Sequence, residues 1–172
     1  MSMLNSKKEV IAYANKRNIN WFHLILSIVV VELIGSLSGL LAGNIKGIYT
    51  SLKLPPLSPP AAVFGPVWII LYLLIGVAGY LVIKDTTSRT PKTINLSLFG
   101  SQLLLNFIWS IVFFGGNSYW LGLIIIIVLD LVVLACILAF RNVNKLAAYL
   151  FVPYFVWILF ATYLTLGVAM MN

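Results

Sequence analysis

Apolar positions in this chain neither alternate with polar ones nor recur as a narrow helical stripe. They run on for about twenty residues at a time, five times over, which is the length a helix needs to cross a bilayer. The runs predict helices over about 22–42, 63–83, 93–114, 119–140 and 146–170, behind a polar basic tail over residues 1–20. The first run is too long for the apolar core of a signal peptide, so it reads as an uncleaved first span. The expected architecture is an all-α membrane protein: one five-helix transmembrane domain over 21–172, with no separate soluble domain.

One connection stands apart from the short ones. Between the first two spans, KLPPLSPPAAVFGPVWIILY carries Pro55, Pro56, Pro59 and Pro60 before Pro66 enters the second run. Proline fixes φ and lacks the backbone donor, so residues 43–62 read as a loop, stiff and extended where the prolines cluster. Pro66 falls in the first turns of a helix, where a missing N–H does little harm. Phe64, Trp68 and Tyr72 then follow at a spacing of four and share one helix face beneath this proline-rich lid. A lid above an aromatic face suggests a ligand pocket; an interfacial aromatic belt would leave the same pattern.

Polar residues inside the runs are few. Glu32 and Asp130 lie near span midpoints, where a carboxylate must be protonated, hydrogen-bonded or open to water; they read as support for the bundle. Gln102, Asn106, Trp109 and Phe113 form one stripe on the third span, where amides commonly join helices. Gly35, Gly39 and Gly43 mark a smooth groove on the first span, open to close approach by another helix. In the last span Pro153 predicts a kink with a freed carbonyl near Tyr154. Trp157, Ala161 and Thr165 share a face there, with Tyr154 and Phe160 beside it. The small alanine leaves a slot whose opposite wall is expected to be Trp68 and Tyr72.

Composition narrows the function. The chain is 62% hydrophobic and only 9% charged, and its net charge of +7 is spread over residues flanking the spans, so it forms no nucleic-acid patch. Nine basic residues (Lys7, Lys8, Lys16, Arg17, Lys84, Arg89, Lys92, Arg141, Lys145) gather on one side and two (Lys46, Lys53) on the other. That bias predicts a cytoplasmic N-terminus, with the lid and C-terminus outside. A single cysteine, Cys136, and a single histidine, His23, leave no metal set, and no nucleotide loop or Ser-His-Asp combination occurs. No cofactor and no conventional enzyme are expected.

The motifs Tyr49-x-x-Leu52, Ser58-Pro59-Pro60, Val63-Phe64-Gly65-Pro66-Val67-Trp68 and Gln102-Leu103-x-Leu105-Asn106-x-x-Trp109 are followed by Phe113-Phe114-Gly115 and Asp130-Leu131. Pro153-Tyr154-x-x-Trp157-x-x-Phe160-Ala161-x-x-Leu164 completes the set. Together, in this order, they resemble the tryptophan-rich sensory protein and translocator protein family, also called the peripheral benzodiazepine receptor family, in its bacterial form. The resemblance implies a five-helix bundle, dimeric in many members, in a bacterial or archaeal cell membrane. It implies a lidded pocket for porphyrins such as protoporphyrin IX and for isoquinoline- or benzodiazepine-type ligands. Family pocket positions map onto Tyr49, Trp68, Asn106, Trp109, Trp157 and Ala161, and Tyr72, Tyr154 and Phe160 adjoin them.

A membrane receptor or sensor for flat tetrapyrroles, with translocation as an extension, is thus the leading expectation. One alternative is light-dependent porphyrin breakdown through Trp68 and Trp157 as the catalytic pair; another is a stress-response membrane partner without turnover. The chain departs from the family pattern at Leu57 and Phe107, where tryptophan is usual. It also lacks the basic residue that the animal cholesterol motif needs at the end of the last span, so sterol binding of the animal kind is not expected.

Overall fold

The structure, a computed structural model, describes residues 19–84 and 91–172. Five of the nine basic residues behind the orientation argument lie outside this range: Lys7, Lys8, Lys16 and Arg17 in the tail, and Arg89 in the loop after Lys84. Among the described residues there are six α-helices: α1 (Trp21–Leu41), α2 (Ile45–Ser51), α3 (Phe64–Lys84), α4 (Lys92–Ser110), α5 (Tyr119–Phe140) and α6 (Lys145–Met171). All but α2 are long and apolar enough to cross a membrane, so the protein is a five-helix membrane bundle as expected. Asparagines set three of the starts: the side chains of Asn20, Asn44 and Asn144 accept from the backbone N–H of His23, Gly47 and Leu146, respectively.

The helices form a ring. In it α3 packs between α1 and α6, α5 packs between α6 and α4, and α1 meets α4 along a thinner seam. The centre holds Ile75, Cys136, Phe140, Phe151, Tyr154 and Ile158, none of which has any exposed surface. Close approach of α1 to α3 occurs at Gly76, where an added Cβ would lie 2.7 Å from the Ile28 Cα. Ser27 Oγ seals that contact by donating to the Gly76 carbonyl at 2.8 Å.

Three expectations need correction. The first concerns the loop over 43–62, which contains α2 and turns rather than running extended. Pro56 and Leu57 take its corner, with Leu57 in the left-handed region at φ 64° and Ser58 Oγ donating to the Pro55 carbonyl at 2.7 Å. Proline suits the first corner of such a turn, and a positive φ at the second ordinarily calls for glycine.

The second concerns the glycine face of α1, which within the chain receives a side chain at Gly35 in place of a close-packed helix backbone. The Tyr72 ring fills the place a Gly35 side chain would occupy, and Gly43 lies beyond the helix at φ 83°. The third concerns α6, which is one helix through Pro153. The carbonyl that loses its donor there is four residues back, at exposed Tyr149, and not near Tyr154. The third span also closes differently from a plain helix, in a π turn over Ile111–Gly115 with Gly116 N–H donating to the Ile111 carbonyl at 2.8 Å.

A candidate ligand cavity beneath the proline lid

A cavity of about 310 Å³ opens between α1, α3 and α4, roofed by α2. Each wall follows from a sequence feature. Gly35 and Gly39 line it on α1, because without side chains they leave room. From α3 come Phe64, Gly65, Trp68 and Tyr72, from α4 come Asn106, Trp109 and Ser110, and Phe114 comes from the π turn after it. Ile45, Lys46 and Tyr49 come down from α2, and Ala61 from the turn that leads into α3.

The aromatic rings hold one another in place. Trp68 stacks on Tyr72 with centroids 5.2 Å apart, Phe64 meets Tyr49 edge-on at 4.8 Å, and Trp109 stacks on Phe113 at 5.3 Å. Behind them Asn106 joins three helices: its Oδ1 accepts from the Tyr72 hydroxyl at 2.8 Å, and its Nδ2 donates to the Tyr154 hydroxyl at 3.1 Å. The amide therefore serves to orient Tyr72. Gln102, one turn earlier, is fully buried with neither amide atom bonded, so the joining role expected of both amides rests on Asn106.

One polar group on the cavity wall is unanswered. Trp109 is 7% exposed, and its indole N–H has no partner. A buried donor left unpaired costs about 1–3 kcal/mol, so an acceptor brought within reach of this wall would be favoured. Lys46, exposed at the mouth, adds the cation of the site.

The lid is latched to α6 at several points. Lys53 N–H donates to Asn172 Oδ1, and Asn172 Nδ2 returns a bond to the Lys53 carbonyl, both at 3.0 Å. The Tyr163 hydroxyl donates to the Pro56 carbonyl at 2.8 Å. Pro55 sits in the notch left by Gly167, where a Cβ would come within 2.5 Å of its ring. Within the lid, the Tyr49 hydroxyl donates to the Pro59 carbonyl at 2.8 Å. Burial raises the Tyr49 pKa above its usual 10.0, with the Ser58 side chain opposing, so the hydroxyl keeps the proton this bond needs.

Of the positions singled out from sequence, Tyr49, Trp68, Tyr72, Asn106 and Trp109 line this cavity. Tyr154, Trp157, Phe160 and Ala161 stand behind it. Tyr154 supports Trp68 edge-on at 6.3 Å, and Trp157 lies 6.0 Å from Phe64 and 5.8 Å from Phe160. Ala161 borders a separate void of about 20 Å³, enclosed in part by Tyr49, Phe64, Trp109 and Phe113. The slot's opposite wall is therefore not Trp68 and Tyr72.

Asp130 joins α5 to α6 by accepting from Thr162 Oγ1 at 2.8 Å, while its second oxygen is buried without a partner. Glu32 is half-buried on α1, one turn before Gly35. Gly39, Ile45, Lys46 and Ser110 also line the wall, though no motif in the sequence marks them as ligand contacts. Asn44, a ready helix cap three residues before Gly47, was the available signal for α2.

A cavity built from the first three spans and the loop between them depends on the whole order of the motifs, and that order is what the profile of the TspO/MBR family recognises over residues 27–171. The chain belongs to the TspO/MBR family. Every cavity-lining residue falls inside the matched region. Among TspO/MBR relatives, the Tryptophan-rich protein TspO of Archaeoglobus fulgidus is 36% identical over 157 residues, covering 89% of this chain and 99% of the relative. That of Chlorobaculum tepidum is 38% identical over 124 residues, covering 72% and 78%. The human Translocator protein is 37% identical over 115 residues, covering 66% and 68%.

Proposed function

We propose that this integral membrane protein is a receptor for tetrapyrroles and similar flat apolar ligands, taken into the lidded cavity between α1, α3 and α4. Membership of the TspO/MBR family supports a sensor or transporter role in the membrane. The observation that carries the ligand class is the cavity's wall of six rings, Tyr49, Phe64, Trp68, Tyr72, Trp109 and Phe114. Rings favour a planar aromatic guest by stacking and dispersion, and a volume of about 310 Å³ is within the usual range of small-molecule pockets. Trp109 N–H would donate to a polar atom of the guest. Lys46 would meet an anionic edge such as a porphyrin carboxylate, and the latched lid would cover it.

Titration with protoporphyrin IX tests the reading. Tryptophan fluorescence is expected to quench saturably, with an affinity near micromolar, about −8 kcal/mol. The dimethyl ester, which lacks the carboxylates, is expected to bind more weakly to the wild type but no more weakly to Lys46→Gln. Quenching that rises linearly, as in empty detergent micelles, overturns the receptor reading. A new absorbing product formed in light but not in darkness would instead support turnover.

A further inference from the structure

We propose a second site, for the acyl chain of an anionic phospholipid, at the opposite end of the α1–α4 seam. A groove of about 270 Å³ lies there, between the first turns of α1, the last turns of α3 and the first half of α4. It is separate from the ligand cavity: Val31 and Leu103 border the groove, and Gly35 and Asn106, one turn further on, border the cavity.

The two spaces differ in chemistry. The groove is walled mainly by aliphatic side chains, among them Leu26, Val30, Val31, Ile83 and Leu103. Its deeper polar groups are already engaged: Ser27 Oγ donates to Gly76, and the Tyr80 hydroxyl accepts from Asn20 N–H at 2.8 Å. No polar guest atom is called for inside. From His23 to Val31 the groove follows α1 for about 12 Å at 1.5 Å per residue, room for part of a fatty chain.

Among the described residues, basic side chains stand at the groove's outer end. His23 lines it there with a polar ring, and Lys84 Nζ stands 5.6 Å from the centre of the Tyr80 ring. Lys92 begins α4 on the stripe that continues through Phe99 and Leu103. An aliphatic trough ending at cations near the helix termini, at the depth of lipid headgroups, fits an amphiphile with one negative end. Tyr80 and Phe99 line the groove singly, without a stacked pair like Trp68 and Tyr72 for a flat aromatic ligand, and a helix of a second copy would not use the cations.

Native mass spectrometry with dioleoyl phosphatidylglycerol and dioleoyl phosphatidylcholine tests the site on the intact chain. Phosphatidylglycerol is expected to bind about tenfold tighter, a difference of about 1.4 kcal/mol. Lys84→Gln with Lys92→Gln should abolish that preference. Val30→Phe should reduce retention of both lipids by filling the trough. Saturable porphyrin quenching in each variant shows that it is folded, and this readout depends on the other cavity. Equal binding of the two lipids by the wild type overturns the proposal. So does a preference that both variants leave intact, or cross-linking of Leu26→Cys between two copies in bilayers containing phosphatidylglycerol.

Discussion

At the scale of single residues, the cavity depends on groups whose importance comes from what they leave unfilled. Trp109 has an indole N–H without a protein partner, so replacing it with phenylalanine removes a donor and strands no acceptor. Trp109→Phe is expected to leave the melting temperature near that of the wild type. It should weaken binding by about 0.5–1.5 kcal/mol, the worth of one hydrogen bond. Calorimetric titration measures this without relying on the missing fluorophore; unchanged affinity would mean that no ligand atom uses the N–H. Ala161 borders a void of only about 20 Å³, which cannot take a benzyl group. Ala161→Phe should therefore overpack that region by about 1–3 kcal/mol and press on Tyr49 and Phe64, which line the ligand cavity as well. Affinity and melting temperature should fall together. In an open slot walled by Trp68 and Tyr72 the substitution would have lowered affinity alone; the void's true neighbours come instead from the lid, the start of α3 and the end of the third span.

At the scale of elements, the five spanning helices differ from their expected bounds by one or two residues at most, if the π turn is counted with α4. Their apolar length is a local property and is visible in any window of the chain. The lid was harder to read. Seven residues of α2 are too few to announce themselves against a background of prolines and glycines, and an isolated helix that short is unstable. It persists because its Tyr49 is buried against Phe64 and tied to Pro59. The latch to α6 joins residues 119 apart in the chain, a pairing that no local pattern encodes. Gly167→Val should force Pro55 from its notch and loosen the lid. Stopped-flow release of a bound porphyrin is expected to be several times faster, with circular dichroism unchanged. Release at the wild-type rate would show that the latch does not govern exit.

At the scale of the whole molecule, the lid and the C-terminal end of α6 lie together, and the turn after α4 approaches the end of α1 on that same side. Asn20 and Tyr80 meet at the other end. Among the described basic residues, Lys84, Lys92, Arg141 and Lys145 lie toward the Asn20–Tyr80 end, and Lys46 and Lys53 lie in the lid at the other. With Cys136→Ser as background, Leu57→Cys at the exposed lid tip should react with an impermeant reagent in intact cells. Arg141→Cys should not. The reverse pattern would invert the assigned orientation.

The sequence by itself determined the number of spans, their bounds and the family, because apolar length and motif order are properties of the chain read in one dimension. It also singled out five of the cavity's residues, since aromatic and amide side chains at helical spacing must share a face. Only the tertiary structure decided which faces meet. It set Tyr72 into the space above Gly35, made Asn106 and not Gln102 the joining amide, and placed Trp157 and Ala161 behind the cavity. The reason is physical. A helix's own pattern fixes the direction of a side chain about its axis, but the rotation and depth of the neighbouring helix decide what that side chain touches.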